Sequence, residues 1–223
     1  KHIVLISKPP SDAVAKTVLA RIAESPKTFT ICFLGLESFN LPDNAAMATT
    51  LEAAAADALG NPLSELSPDE EAKTAELAKG MDEGRRWIRA LFAGGTMCAE
   101  TQVIFRVAGQ NVLSNVPIPG ALPLGDAISG HSAIDLGADE YTVGRPHPMI
   151  EPAVRNDVLE VALAEPDAAV ILLDMVIGHG AHADPVGDLA DVLKGAKSGG
   201  PVIIASVTGT EDEDRVRLAI IGR

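Results

Sequence analysis

The stretch from Ala168 to Val176, AAVILLDMV, decides the fold, because it is the most apolar segment of the 223-residue chain. A continuous apolar run of this kind, rather than an alternating one, predicts a strand that is covered on both faces. Strands of that type belong to parallel sheets, in which a crossover helix follows each strand. The stretch therefore predicts an α/β protein with a doubly wound parallel sheet.

Strands and helices alternate on both sides of this run. After it, the pattern predicts a helix from about Val186 to Lys194, a strand at Pro201 to Val207 and a helical tail from Glu211. Before it, the pattern predicts strands at Trp87 to Ala93 and Ser132 to Leu136, and helices at Thr96 to Ala108 and Pro152 to Ala164.

The first part of the chain holds a smaller α/β pattern. A strand at Ile3 to Ser7, a helix that begins after Ser11 and a strand at Thr28 to Leu34 predict a right-handed parallel βαβ unit. Two clear strands are too few for a complete α/β domain. We therefore expect the first half of that domain to precede Lys1, in a longer polypeptide.

Two capped helices join these parts. Thr49 and Glu52 form a capping-box pattern for an Ala-rich helix, and Ser67 and Glu70 repeat it for a charged one. The composition changes from Ala-rich to acidic between them, which indicates a domain boundary. The predicted division is the second half of a first α/β domain at 1–60, a linker with a short helix at 61–84, and a second domain at 85–223.

Composition excludes several classes of function. Hydrophobic residues make up 47% of the chain and charged residues 22%, so an intrinsically disordered protein is excluded. Eighteen Lys and Arg against 31 Asp and Glu give a net charge of −13, which predicts no nucleic-acid partner. The apolar runs are too short to cross a bilayer. Two cysteines, Cys32 and Cys98, predict no disulfide framework and fit a cytoplasmic protein.

Gly94, Gly95 and Thr96 stand between a predicted strand and a predicted helix. Free amides and the helix dipole at such a position favour an anion, and the Thr96 hydroxyl can cap the helix or bind phosphate. The alternative is a tight turn that lets the helix pack closely. Lys8, after the opening strand, is either a neutralising partner for the anion or a solvated loop lysine.

A loop rich in functional groups runs from Asp139 to Pro148. The guanidinium of Arg145 suits phosphate or carboxylate, and the flanking prolines would hold His147 in place. Under the alternative interpretation, Arg145 pairs with Asp139 or Glu140. We predict that Arg145 and His147 are catalytic, because several such groups converge on one strand end.

The loop after the apolar strand contains His179, His182 and Asp184. Their spacing in a Gly-rich loop does not fix the geometry of a metal site, so no bound metal is predicted. We predict that His179 binds substrate or acts as a general acid or base; the alternative is an exposed loop histidine that has no function. For Asp174, at the end of a buried strand, the prediction is a structural role between neighbouring loops.

Several strings of this sequence are distinctive, and the longest is YTVGRPHPMI, from Tyr141 to Ile150. The others are Ser7 to Pro10, Phe92 to Thr96, Ile134 to Gly137, Leu172 to Asp174 with Gly178, and Val207 to Thr210. Together these strings resemble the FdrA family of acyl-CoA synthetase-like proteins, part of the succinyl-CoA synthetase superfamily.

This resemblance implies flavodoxin-like CoA-ligase domains: the second half of one at 1–60 and most of another at 85–223. It implies an acyl-CoA synthetase that handles an acyl phosphate and CoA, with CoA and a nucleotide triphosphate bound through domains outside this chain. Gly94, Gly95 and Thr96 match the phosphate-facing helix start of the superfamily. Its phosphorylated histidine follows a later strand and has no counterpart here, so that role does not pass to His179.

Two alternatives stay open at this point. One is a subunit of an oxamate carbamoyltransferase, which converts oxalurate and phosphate to oxamate and carbamoyl phosphate; the other is a non-catalytic metabolite-binding or scaffold subunit. The expected partners are a small acyl or carbamoyl substrate, phosphate, and further copies of the chain or a partner subunit. Neither nucleic acid nor a membrane is expected.

Overall fold

The computed structural model describes residues 1–36, 39–62, 67–125, 128–194 and 199–209. No helix within these ranges is long and apolar enough to span a bilayer. The strands are β1 (His2–Ser7), β2 (Thr28–Phe33), β3 (Ala45–Met47), β4 (Trp87–Phe92), β5 (Val112–Ser114), β6 (Leu122–Pro123), β7 (His131–Asp135), β8 (Ala168–Val176) and β9 (Val202–Thr208). The helices are α1 (Asp12–Ala23), α2 (Leu51–Leu59), α3 (Pro68–Lys79), α4 (Gly95–Val107), α5 (Asp139–Thr142), α6 (Ala153–Ala164) and α7 (Pro185–Leu193).

The larger sheet is parallel throughout the described part of the chain, with the strand order β6-β5-β7-β4-β8-β9. Strand β4 lies between β7 and β8. From β4 the chain passes through α4 to β5, which lies on the β7 side of β4. Later it passes from β7 through α6 to β8, which lies on the opposite side of β4. Right-handed crossovers that run in opposite directions lie on opposite faces of a sheet. The predicted fold class, α/β with a doubly wound parallel sheet, is therefore confirmed.

Alternate residues of β4 face two different helix layers. Leu91 packs with Ile171 and Leu173 of β8 in the cluster beneath α6 and α7. Ala90 and Phe92 face the other side, where they pack against α4. Because helices cover both faces of the sheet, its central strands are apolar on both faces. This explains the continuous apolar run of β8.

The smaller sheet contains β1, β2 and β3, all parallel. The predicted βαβ unit is β1, α1 and β2, and α1 packs on the sheet through Ala15 and Ile22 against Ile31 and Phe33. Strand β3 was not predicted, because three residues of mixed exposure carry no recognisable pattern. Helix α3 has no buried residue. The residue ranges assigned to the two domains stay a prediction.

A shared apolar cluster joins α2 and the smaller sheet to α4. Glu100 of α4 reinforces the contact, since its Oε1 accepts a 2.6 Å hydrogen bond from the N–H of Leu51 at the start of α2. Burial raises the pKa of Glu100, and the bond from Leu51 opposes that rise. The cluster consists of Cys32, Leu34, Ala48, Ala54, Ala99, Val103 and Ile118.

Helix capping was predicted well at α3 and less well at α2. The Ser67–Glu70 capping box before α3 is confirmed. For α2 the predicted cap, Thr49, is wrong: the N-cap is Thr50, whose hydroxyl accepts from the N–H of Ala53. Either of two adjacent threonines can serve as an N-cap, and the capping-box pattern selects Thr49, whereas the backbone conformation places the N-cap at Thr50.

The Pro/Gly-rich run from Pro117 to Gly125, which the sequence suggests is a mobile loop, takes part in the fold. Strand β6 lies within it and pairs with β5, and Ile118 is buried. Gly35, which has a φ of 87°, lies so close to Ile118 that a Cβ atom there would be 3.1 Å from it. The helical tail predicted from Glu211, and the Thr210 of the quoted strings, lie outside the described residues.

Candidate functional site

The loops that leave the central strands meet at one edge of the larger sheet. Strand β4 continues into Ala93, β7 ends at Asp135, and Asp174 lies near the end of β8. Strand β4 pairs with both neighbours, and the N–H of Ala93 donates to Asp174 Oδ1 across 2.7 Å. The two crossovers diverge at this edge, which is where open α/β sheets bind ligands.

Helix α4 begins at this edge, at Gly95, one residue before the predicted start. Its N-cap, Gly94, is extended and offers no side chain to the first amides of the helix. Gly95 is buried and Thr96 is exposed. The first amides of a helix lack partners within it and carry the positive end of its dipole. The structure thus places the predicted anion-binding residues Gly94, Gly95 and Thr96 at one helix start.

Lys8, the other predicted anion-binding residue, reaches this helix start from the smaller sheet. Its Nζ lies 3.0 Å from Oδ2 of Asp135; the Lys8 side chain is 52% exposed and that of Asp135 is 4% exposed. A Cβ atom at Gly95 would overlap Nζ and Cε of Lys8 and would lie 2.5 Å from Asp135 Oδ2. The ammonium and the carboxylate therefore lie directly on the first residue of α4.

His147 lies against the loop that follows β7. A Cβ atom at Gly137 would be 2.5 Å from His147 Nε2 and 3.2 Å from Asp135 Oδ1, so the imidazole and this carboxylate face the same small space. The N–H of Met149 donates to His147 Nδ1 across 3.2 Å. In the neutral ring the proton is then on Nε2, which makes Nε2 a hydrogen-bond donor.

Asp174 supports the loop after β4, in agreement with its predicted structural role. Burial raises its pKa, while the bond from Ala93 and the charge of Arg155 act in the opposite direction. Arg155 is itself 2% exposed and donates to the carbonyl of Asp174 across 3.3 Å, and its Nε has no hydrogen-bond partner among the described residues. These two buried side chains lie behind the edge rather than on its surface.

Arg145 and His179, both predicted to be catalytic, are exposed, and their side chains make no hydrogen bond or ion pair with another described residue. The predicted alternative pairing of Arg145 with Asp139 or Glu140 is also absent among the described residues. The loop of His179 does reach the edge, since the N–H of His182 donates to the carbonyl of Met149 across 2.8 Å.

A cavity of about 330 Å³ opens beside Lys8 and Gly95. Its walls are apolar apart from the lysine, and they come from α4 and from the segment that precedes β6. The size is near the lower end for ligand pockets. The lining residues are Lys8, Pro9, Gly95, Ala99, Val116, Pro117, Ile118 and Pro119.

The two cysteines are not candidates for a nucleophile. Both are free and buried, and burial raises the pKa of Cys32 and of Cys98 to about 11. A thiol with so high a pKa is protonated at neutral pH. In the described ranges, no three His, Cys, Asp or Glu side chains lie close enough to share a metal ion.

No sequence pattern indicated a role for Asp135, Asn115 or Gly137. Asp135 is the last residue but one of a predicted strand and belongs to the quoted string Ile134 to Gly137, which was the available signal. Its contact with Lys8, 127 positions away and just after a strand of the smaller sheet, leaves no periodic or local pattern.

The fold and this edge define a class, the doubly wound α/β proteins in which a helix begins at the switch point of the sheet. The sequence profile of the CoA-ligase family matches residues 91–220. The chain therefore belongs to the CoA-ligase family, of the succinyl-CoA synthetase type.

One relative extends the match to the first part of the chain. The chain is 33% identical over 223 residues to the uncharacterized protein YahF of Escherichia coli (strain K12). The alignment covers 94% of this chain and 43% of YahF, so the chain spans less than half the length of this relative.

Proposed function

We propose that this chain is part of an FdrA-type acyl-CoA synthetase and handles an acyl phosphate at the start of α4, where CoA takes the acyl group. One observation carries the proposal: an ammonium, a helix start without a side-chain cap and an imidazole donor converge at the carboxyl ends of β4 and β7. Family membership alone would support only the coarser class.

The helix amides and the ammonium at this edge suit a phosphoryl group, whereas the carboxylate of Asp135 opposes one. The oxygens of the phosphate accept hydrogen bonds from the first amides of α4 and from the ammonium of Lys8. When the bond between the acyl carbon and the phosphate oxygen breaks, the bonding electron pair leaves with the phosphate. Groups that stabilise this developing charge lower the barrier, because they interact more strongly with the transition state than with the substrate.

His147 has a separate task in this proposal. Its Nε2–H donates to the leaving oxygen and stabilises the charge there, while the bond from Met149 to Nδ1 keeps the ring in that tautomer. Arg145 and His179 are given no step, because no described contact brings their side chains to Lys8, Gly95 or His147.

The described residues fit part of CoA. The cavity of about 330 Å³ has room for an acyl phosphate or for the thiol end, and Lys8 is the one charged residue among the described residues that line it. The nucleotide end of CoA, with its several phosphates, would need more space and more cations than this edge offers. CoA supplies the thiol whose sulfur replaces phosphate on the acyl carbon and whose proton leaves with the released phosphate, and the binding of its nucleotide end is not assigned to these residues.

The test is formation of a thioester from acetyl phosphate and CoA, followed by mass spectrometry. We expect acetyl-CoA from the wild-type protein, and a rate roughly tenfold or more lower in Lys8→Ala, because a charge-assisted hydrogen bond to the phosphate is lost. Lys16→Ala is the matched control, since Lys16 is an exposed lysine of α1.

A parallel reaction with oxalurate and phosphate separates the alternatives. Carbamoyl phosphate in this reaction, without any thioester in the first, would replace the proposed function by carbamoyl transfer. Absence of both products would leave a non-catalytic subunit as the better interpretation. Nothing in the geometry of the described residues selects either of these alternatives.

A further inference from the structure

Asp135 is the residue around which this edge is organised. Oδ2 binds Lys8 Nζ at 3.0 Å, and Oδ1 accepts from the N–H of Gly137 at 3.0 Å. The amide side chain of Asn115 binds both the N–H and the carbonyl of Asp135, each at 2.9 Å. The carboxylate is almost fully buried. Hydrogen bonds therefore fix Asp135 both at its backbone and at its carboxylate oxygens.

Lys8, by contrast, has few constraints of its own. Its side chain is half exposed, and Asp135 is its one ion-pair partner among the described residues. A lysine stem with four rotatable bonds gains conformational entropy when it is free in solvent. Without an anchor, we expect the ammonium to leave the surface of Gly95 and sample the solvent.

We infer that Asp135 is a positioning residue: its Oδ2 holds the ammonium of Lys8 over the first residue of α4, where the proposed acyl phosphate binds. The inference rests on the proposed function for the identity of the anion. Asp135 itself carries a negative charge and does not bind the phosphate. It acts through Lys8, which comes from a different sheet.

The variant Asp135→Asn isolates this role. The amide oxygen of Asn can still accept from Gly137 N–H, so the turn after β7 is kept. The other carboxylate oxygen becomes an NH₂ group, which cannot accept from an ammonium. The change therefore breaks the hold on Lys8 and removes one negative charge near the anion.

These two consequences have different kinetic signatures. Loss of a negative charge alone would strengthen anion binding and leave kcat unchanged. Loss of positioning lowers kcat, because the ammonium is no longer fixed where charge develops. We expect kcat for acetyl phosphate and CoA to fall about tenfold or more in Asp135→Asn, with little change in KM. The double variant with Lys8→Ala should be no slower than Lys8→Ala alone.

A second readout does not depend on activity. Reductive methylation of the intact protein, followed by mass spectrometry, reports the reactivity of each lysine. In the wild-type protein Lys8 should react more slowly than Lys16, and inorganic phosphate should slow it further. In Asp135→Asn the methylation of Lys8 should be several-fold faster, with Lys16 unchanged. Asp139→Asn, an exposed acid just beyond the same loop, should behave as wild type.

The outcomes separate the two claims. Unchanged methylation of Lys8 or unchanged kcat in Asp135→Asn would overturn the role of Asp135 and leave the proposed function standing. The proposed function, and this role with it, would be overturned if the wild-type protein forms no thioester and inorganic phosphate does not slow the methylation of Lys8. Asp135→Asn could lower thermal stability strongly, and Lys8→Ala then serves as the test, because it alters only a half-exposed side chain. We expect kcat to be lowered in Lys8→Ala as well. A normal kcat in Lys8→Ala would refute the inference.

Discussion

Gly95→Ala is the substitution on which the proposed site depends most directly. Gly95 does not have a positive φ, so the backbone itself accepts alanine. The obstacle is space: the new methyl group would overlap the end of the Lys8 side chain and would lie 2.5 Å from Asp135 Oδ2. Lys8 is flexible and must move away, and its contact with Asp135 at the start of α4 is then lost.

The expected effect on stability is moderate. Alanine in place of glycine favours a helix by up to about 1 kcal/mol, less in the first turn, and the lost ion pair of a half-exposed lysine is worth about 0–1 kcal/mol, so these two changes nearly cancel. The contact of 2.5 Å with Asp135 Oδ2 remains, and the buried carboxylate must shift to relieve it, which costs about 1–3 kcal/mol. We therefore expect the melting temperature, followed by circular dichroism, to fall by no more than about 12 °C.

The expected effect on function is large. A charge-assisted hydrogen bond contributes about 1.5–3 kcal/mol, and about 1.4 kcal/mol corresponds to a factor of ten. The rate of thioester formation from acetyl phosphate should therefore fall roughly 10- to 100-fold. Gly94→Ala is the comparison, because a Cβ atom there meets nothing within 4 Å and the amide is kept. Equal rates in the two variants would refute the assignment of the anion to the start of α4.

Three further predictions concern the framework of the site. Burial, and to a smaller extent the charge of Arg89, lowers the pKa of His131. The stability that the neutral ring contributes should therefore be complete above the ordinary histidine pKa of about 6.5 and be lost as the pH falls through the lowered value. His131→Asn should remove this part of the pH dependence in urea titrations, and a pH profile identical to that of the wild type would contradict the prediction. Ile118→Ala should cost about 2–4 kcal/mol in unfolding free energy, because it opens a void in the cluster between α2 and α4; a change below about 1 kcal/mol would argue against that packing. Glu100→Ala should cost about 1–3 kcal/mol, since the first amide of α2 loses its acceptor, whereas Glu100→Gln, which keeps an acceptor oxygen, should cost much less.

Most of the larger sheet and the cap of α3 could be predicted from the sequence because their signals are local. The apolar run of β8 follows from burial on both faces, and the Ser67–Glu70 box follows from hydrogen bonds within one helical turn. Strands β5 and β6 could not be predicted. They have three and two residues, and they form through pairing with a neighbour rather than through a pattern of their own.

The candidate site was predictable only in its parts. Gly94 and Gly95 between a strand and a helix indicated an anion, and the flanking prolines drew attention to His147. The sequence could not indicate which of the charged groups approach each other. Arg145 was predicted to be catalytic at this edge, and no described contact brings its side chain to the helix start. Lys8, for which a solvated loop position was the alternative, lies on Gly95 itself.

The dependence of this edge on two sheets has a consequence for how it forms. Lys8 follows β1 of the smaller sheet, whereas Asp135 and Gly95 belong to the larger one. A single half-exposed ion pair is too weak to hold two sheets together. The buried cluster between α2 and α4 supplies the stabilising area, and the ion pair takes its geometry from that packing. A substitution in this cluster should therefore weaken anion binding as well as stability, although none of its side chains carries a charge.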